Sequence, residues 1–400
     1  MTDFIRVPYG CTVHGEEEIA AVTEVLRTST QMGKNVHGME AGVSARFQKK
    51  YGVMVNSGSS ANYLAIEIAK LPLGSEVITP VLTFSTTVSP IVKNGLIPAF
   101  VDVEPGTYNI DADLVEAMIT PKTKAMMIPN LLGNLPDWKK LRAIADKYNL
   151  LVIEDSADTL GATIDGEAAG RFTDISTTSF YGSHVINCGG NGGMVCFNKQ
   201  EDMEEAKLLR SWGRSSSLFV ESEAIENRFN VYLDDIRYDA KFIFERMGYN
   251  IEPSEMGAAF GMVQLSKLDH NIALRDQWYQ QHVAFFKQYE DWFILPKQLP
   301  NSKTGWLALA LTVKPDAPFK RTDLQIFLEK RNIQTRTVFT GNILRQPGYQ
   351  TIPRRQNDKG YPVADAVMRG GILMACHHGL NADMVSHMHE SVALFLKQYA

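Results

Sequence analysis

Short apolar runs alternate with stretches of helical spacing over the first half of the chain. The runs predict β-strands at 76–80, 97–102, 124–129, 150–154, 176–180 and 193–197. Apolar residues three and four positions apart predict helices at 16–28, 111–119 and 138–148. Continuous apolar strands separated by helices are typical of a mostly parallel sheet covered on both faces. The pattern therefore predicts a large α/β domain.

The pattern changes after this domain. Polar and charged residues dominate 215–239, which predicts a surface excursion or an active-site flap. A smaller α+β unit follows, with predicted elements at 255–268, 271–289, 306–313, 321–330, 335–339 and a closing helix from Asp383. We expect two domains: an N-terminal arm with the large domain over 1–250, and the smaller C-terminal α+β domain over 251–400.

Composition excludes several classes of protein. The 400 residues are 44% apolar and carry 40 basic and 45 acidic side chains, so the net charge is −5. This balance argues against a nucleic-acid or membrane partner. Four scattered cysteines with no CxxC pair predict neither a disulfide framework nor a zinc ribbon, and they favour a reducing cytoplasm. No apolar run reaches the roughly 18 residues needed to span a bilayer.

Two sequence features predict an anion site and a carboxylate at one edge of the sheet. Gly58 and Ser59 lie just ahead of an apolar-periodic helix, whose first N–H groups can bind a phosphate. Asp155 follows the strand 150–154, at the carboxyl edge where such sheets bind ligands, and a carboxylate there can pair with a protonated pyridine nitrogen. An ordinary helix cap is the alternative explanation for each.

Two further residues fit the same kind of site. Phe84 follows the strand 76–80 and is positioned either to stack on an aromatic ring or to pack in the core. Ser179 lies beside a glycine-rich turn, where its hydroxyl can donate to a phosphate or simply end a strand.

His184 is the most informative residue. The segment Ser-Phe-Tyr-Gly-Ser-His-Val-Ile-Asn-Cys-Gly-Gly-Asn-Gly-Gly-Met, residues 179–194, resembles the cofactor-lysine segment of the sugar aminotransferases. In those enzymes a lysine forms a Schiff base with pyridoxal phosphate (PLP). Imidazole cannot form that imine, but it moves protons near neutral pH. With the preceding features in the same order, the whole chain resembles the DegT-type sugar aminotransferase family.

The resemblance implies the PLP-dependent transferase type I fold, which is aspartate aminotransferase-like. It further implies that Gly58, Ser59 and Ser179 hold the phosphate, that Phe84 covers the ring and that Asp155 pairs with the ring nitrogen. The segment 248–251 is similar to the stretch in which this family contributes an asparagine to the neighbouring subunit's phosphate site. Asn250 would be that residue, so the resemblance implies a homodimer with shared active sites.

Two departures from the aminotransferases narrow the resemblance. His184 replaces the lysine, and Asp158, which the resemblance places among the cofactor-binding residues, stands where glutamine is usual. In both features the chain resembles the 3-dehydratases of this family, which act on nucleotide-linked 4-keto-6-deoxyhexoses. Some of these dehydratases form an iron–sulfur branch. That branch needs four cysteinates. At the positions where that branch has cysteines, this chain has Ser156, Ala157 and the run 215–218. We therefore expect no iron–sulfur cluster. The spacing of the remaining histidines predicts no metal site.

The resemblance implies a reaction in two halves. L-glutamate would convert PLP to pyridoxamine phosphate (PMP), with Arg336 gripping the donor carboxylate. PMP would then join the keto group of a nucleotide-linked 4-keto-6-deoxyhexose, and His184 would act as acid and base in the loss of the hydroxyl at carbon 3. A 3-deoxy sugar and ammonia would be released.

Three alternatives remain at this point. The first is a nucleotide-sugar aminotransferase that works without its lysine. The second is a non-catalytic PLP-fold sensor or scaffold. The third makes His184 an ordinary strand-end histidine with the cofactor lysine elsewhere, Lys199 and Lys207 being the nearest downstream. No pattern in the sequence names the nucleotide or the hexose.

Overall fold

The computed structural model describes residues 4–219 and 223–399. The α-helices of these residues are α1 Glu16–Thr28, α2 Lys34–Arg46, α3 Gly58–Ile68, α4 Ser85–Lys93, α5 Ala112–Val115, α6 Trp138–Tyr148, α7 Gln200–Arg210, α8 Ile225–Arg228, α9 Glu255–Ser266, α10 Leu268–Phe286, α11 Arg321–Lys330, α12 Pro362–Gly370 and α13 Ala382–Leu396. Within this part of the chain, no helix has the length and apolar character that crossing a membrane requires.

The strands of the same residues form four sheets. They are β1 Tyr51–Val55, β2 Glu76–Pro80, β3 Ile97–Val101, β4 Thr123–Pro129, β5 Leu151–Asp155, β6 Thr163–Ile164, β7 Glu167–Ala168, β8 Ile175–Ser179, β9 Gly193–Phe197, β10 Val231–Leu233, β11 Ile236–Tyr238, β12 Phe293–Ile294, β13 Ser302–Lys303, β14 Ala308–Val313, β15 Arg336–Thr337 and β16 Gly371–Ala375.

The largest sheet has the order β1-β9-β8-β5-β4-β2-β3. Its pairs are parallel except the two made by β9. Two successive residues of β4 pack in different hydrophobic clusters. Met127 belongs to the cluster that contains α3, and Met126 to the cluster that contains α6. Successive side chains of a strand point to opposite faces, so both faces of the sheet are covered. The predicted mostly parallel α/β sheet is confirmed.

A second sheet, β12-β14-β16-β15, is antiparallel and forms the smaller α+β unit with α10, α11 and α13. Helix α9 is tied to the N-terminal region as well. Glu255 accepts hydrogen bonds from the backbone N–H groups of Gly33 and Val36, and Gln264 donates to Glu18. A division of the chain between 250 and 251 therefore stays a prediction.

Several elements differ from the sequence-based expectation. The element predicted at 335–339 is the short strand β15, and Phe339 has a φ of 40°, outside the extended region. The helix predicted at 111–119 is α5 followed by a 3₁₀ turn at Glu116–Met118. The excursion at 215–239 contains a hairpin, β10–β11, that apolar periodicity did not predict, and its residues are largely exposed. Residues 220–222 of the excursion lie outside the described residues.

Candidate active site

A cavity of about 510 Å³ lies at the carboxyl ends of β4, β5 and β8, where parallel strands present their last residues to a ligand. The predicted site residues that line it are Gly58, Ser59, Phe84, Asp155, Asp158, Ser179 and His184. Residues far apart in sequence therefore meet in one place. Tyr9 from the N-terminal arm, with Leu307 and Phe339 from the smaller unit, completes the wall.

The N-terminus of α3 forms one end of the cavity. Ser57 caps the helix, because its Oγ accepts from the backbone N–H of Ser60 at 3.1 Å. A Cβ on Gly58 would lie 2.5 Å from the Cβ of Ser179, so only glycine lets the helix approach β8 this closely. The first N–H groups of a helix have no partner within it. The end of α3 and the Ser179 hydroxyl together can hold a phosphate.

Asp155 forms the floor of the cavity and is held by several donors. Its Oδ2 accepts from Asn62 Nδ2 at 2.7 Å and from Thr87 Oγ1 at 2.8 Å, and its Oδ1 accepts from the backbone N–H of Ala157 at 3.2 Å. Thr177 in turn donates to Asn62 at 2.6 Å. Burial raises the pKa of Asp155 and these hydrogen bonds oppose it. A cation against this carboxylate, such as a protonated pyridine nitrogen, would favour its charged form.

Phe84 provides an aromatic face at the mouth of the cavity. Its side chain is 52% exposed, and its ring makes an edge contact with Phe339 at 5.9 Å between centroids. An exposed aromatic ring at a cavity rim is available for stacking, whereas a core phenylalanine is not. The structure thus favours the stacking interpretation of Phe84 over the core one.

His184 lies in the turn that follows β8. Its backbone N–H donates to the Tyr181 carbonyl at 3.0 Å, and its Nδ1 is 3.2 Å from the Ser179 carbonyl oxygen. A carbonyl only accepts, so Nδ1 carries the hydrogen and Nε2 keeps its lone pair. Burial lowers the pKa of His184 to about 4; the Ser179 hydrogen bond opposes this, and the charge of Arg275 adds to it. The ring is neutral near neutral pH, and Nε2 can accept a proton.

Asp158 faces His184 across the cavity, with Oδ1 3.7 Å from Nε2. Its Oδ2 accepts from the backbone N–H of Leu132 at 3.0 Å. Burial and the neighbouring Asp155 charge raise the pKa of Asp158 to about 7, while Leu132 and Arg275 oppose this. Near neutral pH this carboxyl exists in both protonation states, so it can adjust its charge as His184 gains or loses a proton.

No lysine lines the cavity in the described part of the chain. Lys199 and Lys207 are not among the lining residues either, so the alternative in which one of them replaces His184 is wrong. The residues of the cavity fit PLP. They offer an anion site at α3 and Ser179, a buried carboxylate for a ring nitrogen and an aromatic face, and an imidazole occupies the position where related enzymes have a lysine.

Two predicted residues lie away from the cavity wall. The Arg336 guanidinium is 5.5 Å from the centroid of the Tyr9 ring and donates to the Thr335 carbonyl, so it lies behind a lining residue. Asn250 is exposed and pairs with Ser211 in an isolated bridge. Their roles toward a donor carboxylate and a second subunit stay predictions.

Several lining residues were not predicted: Tyr9, Asn62, Thr87 and Asn130. Asn62 follows Gly58 by four positions and so shares a face of α3 with it, which is a signal that sequence alone contains. Tyr9 has no such signal, because nothing in the chain near it predicts a contact with residues 150 positions away.

The cysteines are separate from this site. Cys188, Cys196 and Cys376 are buried and Cys11 is partly exposed; all four are free. Within residues 4–219 and 223–399, no group of three or more His, Cys, Asp and Glu side chains could hold a metal ion.

Comparison with known proteins places the chain in a family. The model of the DegT/DnrJ/EryC1/StrS aminotransferase family matches residues 12–393. The chain belongs to this family. A curated relative from Saccharopolyspora spinosa, a dTDP-4-dehydro-2,6-dideoxy-D-glucose 3-dehydratase, is 34% identical over 97% of this chain and 86% of its own length.

Solved structures of 3-dehydratases superpose on nearly the whole chain. The E. coli GDP-4-keto-6-deoxy-D-mannose-3-dehydratase with bound hydrated PLP has a TM-score of 0.87 at 27% identity, over 97% of this chain and 99% of its own. A structure of GDP-4-keto-6-deoxymannose-3-dehydratase with a trapped PLP-glutamate geminal diamine has a TM-score of 0.86 at 26% identity, over 96% and 100%. The predicted aspartate aminotransferase-like fold is confirmed.

Proposed function

We propose that this chain is a PLP- and PMP-dependent 3-dehydratase of a nucleotide-linked 4-keto-6-deoxyhexose. The observation that carries the proposal is a neutral imidazole, His184, whose Nε2 faces a cavity with no lysine among its described lining residues. The dehydratases named above support it, because they match this chain over nearly its full length. It is an enzyme of the lyase class with a transaminase half-reaction.

The residues of the floor bind and orient the cofactor. When bound, PLP supplies an aldehyde that accepts an amino group and a ring that withdraws electrons from the bound carbon atoms. The amino end of α3 and Ser179 would hold the phosphate, Phe84 would cover the ring, and Asp155 would keep the ring nitrogen protonated. The hydrogen bonds from Asn62 and Thr87 fix the Asp155 carboxylate for this contact.

His184 and Asp158 move the proton. Nε2 of His184 would take up a proton from the methylene group of the aminated cofactor, and the Asp158 carboxylate at 3.7 Å would stabilise the imidazolium that results. Nε2 then returns the proton to the hydroxyl that leaves carbon 3 as water, so no net proton is gained or lost. A lysine in this position would compete for the cofactor aldehyde, whereas imidazole does not.

L-glutamate is the proposed amino donor, which recharges the cofactor to PMP. Arg336 is the candidate for its carboxylate, since a guanidinium binds carboxylates through two parallel hydrogen bonds. The PLP-glutamate adduct trapped in the related dehydratase supports glutamate as the donor. A shift of the cofactor absorbance on adding glutamate alone tests this half-reaction, and the absence of any shift favours the scaffold alternative.

A homodimer with shared active sites is proposed from the surface around the hairpin. Large apolar side chains are exposed there, including Ile225, Tyr232, Ile236, Phe242, Phe244 and Met247. Apolar patches of this kind mark interaction sites. Asn250 follows these exposed residues in the chain. If this surface contacts a second copy, Asn250 would lie close to that copy's site.

Subunit complementation tests the shared site. We expect His184→Asn and Asn250→Ala, each inactive when pure, to regain activity when unfolded and refolded together, because the hybrid dimer contains one intact site. Light scattering checks the mass of each species. No recovery from a verified hybrid contradicts a shared site, and a monomeric mass contradicts the dimer.

Product analysis tests the reaction itself. The enzyme, PLP and L-glutamate are incubated with GDP-, CDP- and dTDP-linked 4-keto-6-deoxyhexoses, and ammonia and sugar mass are measured. We expect ammonia and a 3-deoxy-4-keto product with one of them. Accumulation of a stable 4-amino sugar would instead establish the aminotransferase, the activity of other members of this family. The cytoplasmic location expected from the sequence stays a prediction.

A further inference from the structure

Helix α10 holds the backbone that carries His184. Asn271 Nδ2 donates to the Val185 carbonyl at 2.9 Å. Arg275 Nη2 donates to the carbonyls of Ser183 and His184, each at 3.0 Å. Two side chains one helical turn apart on the same face therefore occupy three consecutive carbonyl groups around the imidazole.

Arg275 also joins this turn to the smaller unit. Its Nη1 donates to the Trp306 carbonyl at 2.8 Å and its Nε to His378 Nδ1 at 3.1 Å. The Trp306 ring stacks on Tyr279 with centroids 3.6 Å apart, and a Cβ on Gly305 would lie 2.6 Å from Val185 Cγ2. The segment before β14 and the segment around His184 are thus packed directly against each other.

The Arg275 guanidinium is unusual because its hydrogen-bond partners are neutral. The side chain is fully buried, and no carboxylate of residues 4–219 or 223–399 lies within 4.0 Å of it. Burial lowers its pKa to about 10, so it stays charged near neutral pH. A buried cation without an ion-pair partner costs free energy that an apolar side chain of similar size would not. Packing alone does not account for this residue.

We propose that Arg275, assisted by Asn271, is a positioning residue for His184: it fixes the 183–185 backbone so that Nε2 faces the cavity, and it couples that backbone to the β14 segment. Arg275 does not line the cavity, so it acts through His184 rather than on substrate. The proposal rests on the proposed function in that His184 is taken as the acid and base.

Two variants separate geometry from charge in the kinetics. Arg275→Met keeps the length of the side chain and removes both its donors and its charge, and Arg275→Lys keeps the charge with a single donor group. We expect kcat to fall roughly 10- to 100-fold in Arg275→Met, because a misplacement of about 1 Å at a catalytic group costs on the order of 100-fold. We expect an intermediate kcat in Arg275→Lys, and little change in KM for the sugar in either variant.

A titration of His184 supplies a measurement that needs no activity. Histidine labelled with ¹³C at Cε1 is followed by NMR, and the His184 signal is assigned by its loss in His184→Asn. The charged and titratable groups near this ring are Asp158, Tyr181 and Arg275. Removing a like charge favours the protonated ring, so we expect its midpoint to rise in Arg275→Met and to stay near the wild-type value in Arg275→Lys.

A matched control addresses folding. Arg210 is also a buried arginine, but it donates to Glu40 and to the Met54 carbonyl and does not line the cavity. We expect Arg210→Met to lower the melting temperature without moving the His184 midpoint. Wild-type kcat and midpoint in Arg275→Met would overturn the proposal, and so would losses in melting temperature and cofactor occupancy with an unchanged kcat per occupied site. If the wild type forms no 3-deoxy sugar, the proposed function fails, while the His184 titration still tests the role of Arg275.

Discussion

Asp155 and Asp158 lie three residues apart at the end of one strand, yet their surroundings differ. Three donors hold Asp155: Asn62, Thr87 and the backbone of Ala157. Asp158 has one donor at hydrogen-bond distance, the backbone of Leu132, and faces a neutral imidazole at 3.7 Å. Burial raises the pKa of both carboxyls. Three hydrogen bonds oppose this at Asp155, whereas at Asp158 the Asp155 charge adds to burial and the pKa is about 7.

This difference would let one cavity both hold a cofactor and move a proton. A carboxylate surrounded by fixed donors stays in place and charged, which suits binding. A carboxyl with few donors near a histidine changes its protonation state easily, which suits proton transfer. The floor around Asp155 and the wall formed by Asp158 and His184 therefore have separate roles, and the variants below test that separation.

The largest expected effect is the loss of reaction rate when the wall residue His184 is replaced. We expect His184→Asn to lower the rate of 3-deoxy product formation by on the order of 10²- to 10⁴-fold, the usual contribution of a general acid–base group. Cofactor binding, followed by absorbance, stays close to wild type because the floor is intact. His387→Asn is the control, since that ring bonds the distant Arg331 carbonyl. Normal turnover in His184→Asn would remove this residue from the chemistry.

The next largest expected effect is the loss of cofactor affinity when the floor residue Asp155 is replaced. Asp155→Asn keeps an oxygen for Asn62 and Thr87 but loses the charge that is proposed to face the ring nitrogen. A hydrogen bond to a charged group is worth about 1.5–3 kcal/mol, so we expect PLP affinity to fall roughly 10- to 150-fold. Titration with PLP measures this. Unchanged affinity would mean that Asp155 does not contact the cofactor.

Gly58→Ala tests the close contact between α3 and β8. The new Cβ would lie 2.5 Å from the Ser179 Cβ, so the helix and strand must move apart. Forcing extra atoms into a packed site costs about 1–3 kcal/mol, and we expect a loss of that size in stability together with weaker cofactor binding. Thermal unfolding and PLP titration measure the two effects. A variant that binds PLP as well as wild type would show that this contact does not shape the phosphate site.

The last effect concerns the dependence of stability on pH. Asp158 has an ordinary pKa of 3.8 and a folded-state pKa of about 7, so between these values the folded protein holds a proton that the unfolded chain releases. Its contribution to stability is present at low pH and is lost as pH rises through this range. We expect Asp158→Asn to remove this loss, a difference of up to about 1.4 kcal/mol per pH unit. The groups that face Asp158 are His184, Asp155, Arg275 and Tyr9.

Denaturant unfolding over that pH range measures the Asp158 effect. His184 acts in the opposite direction, because its pKa falls from 6.5 to about 4 and its contribution is lost as pH falls. The double variant His184→Asn with Asp158→Asn separates the two. If the free energy of unfolding of wild type and of Asp158→Asn changed with pH in parallel, the raised pKa of Asp158 would be contradicted.

Much of the fold and several site residues could be predicted from the chain. The apolar strands predicted the parallel sheet because residues buried on both faces must be apolar along their whole length. Asp155 and Ser179 were predicted because strand ends in such a sheet meet at one edge. The hairpin β10–β11 was not, since its exposed residues lack the alternation that marks a half-buried strand.

What the sequence determined by itself was the chemistry available: a histidine in place of a lysine, the carboxylates three residues apart, and the glycines at the turns. Only the tertiary structure decided which nitrogen of His184 is free and how differently the two carboxyls are surrounded. It also brought Tyr9 to the cavity and Arg275 to the backbone at His184. These depend on contacts between residues separated by up to hundreds of positions. Local sequence fixes side-chain type and strand period, whereas protonation and orientation depend on burial and on donors that folding brings together.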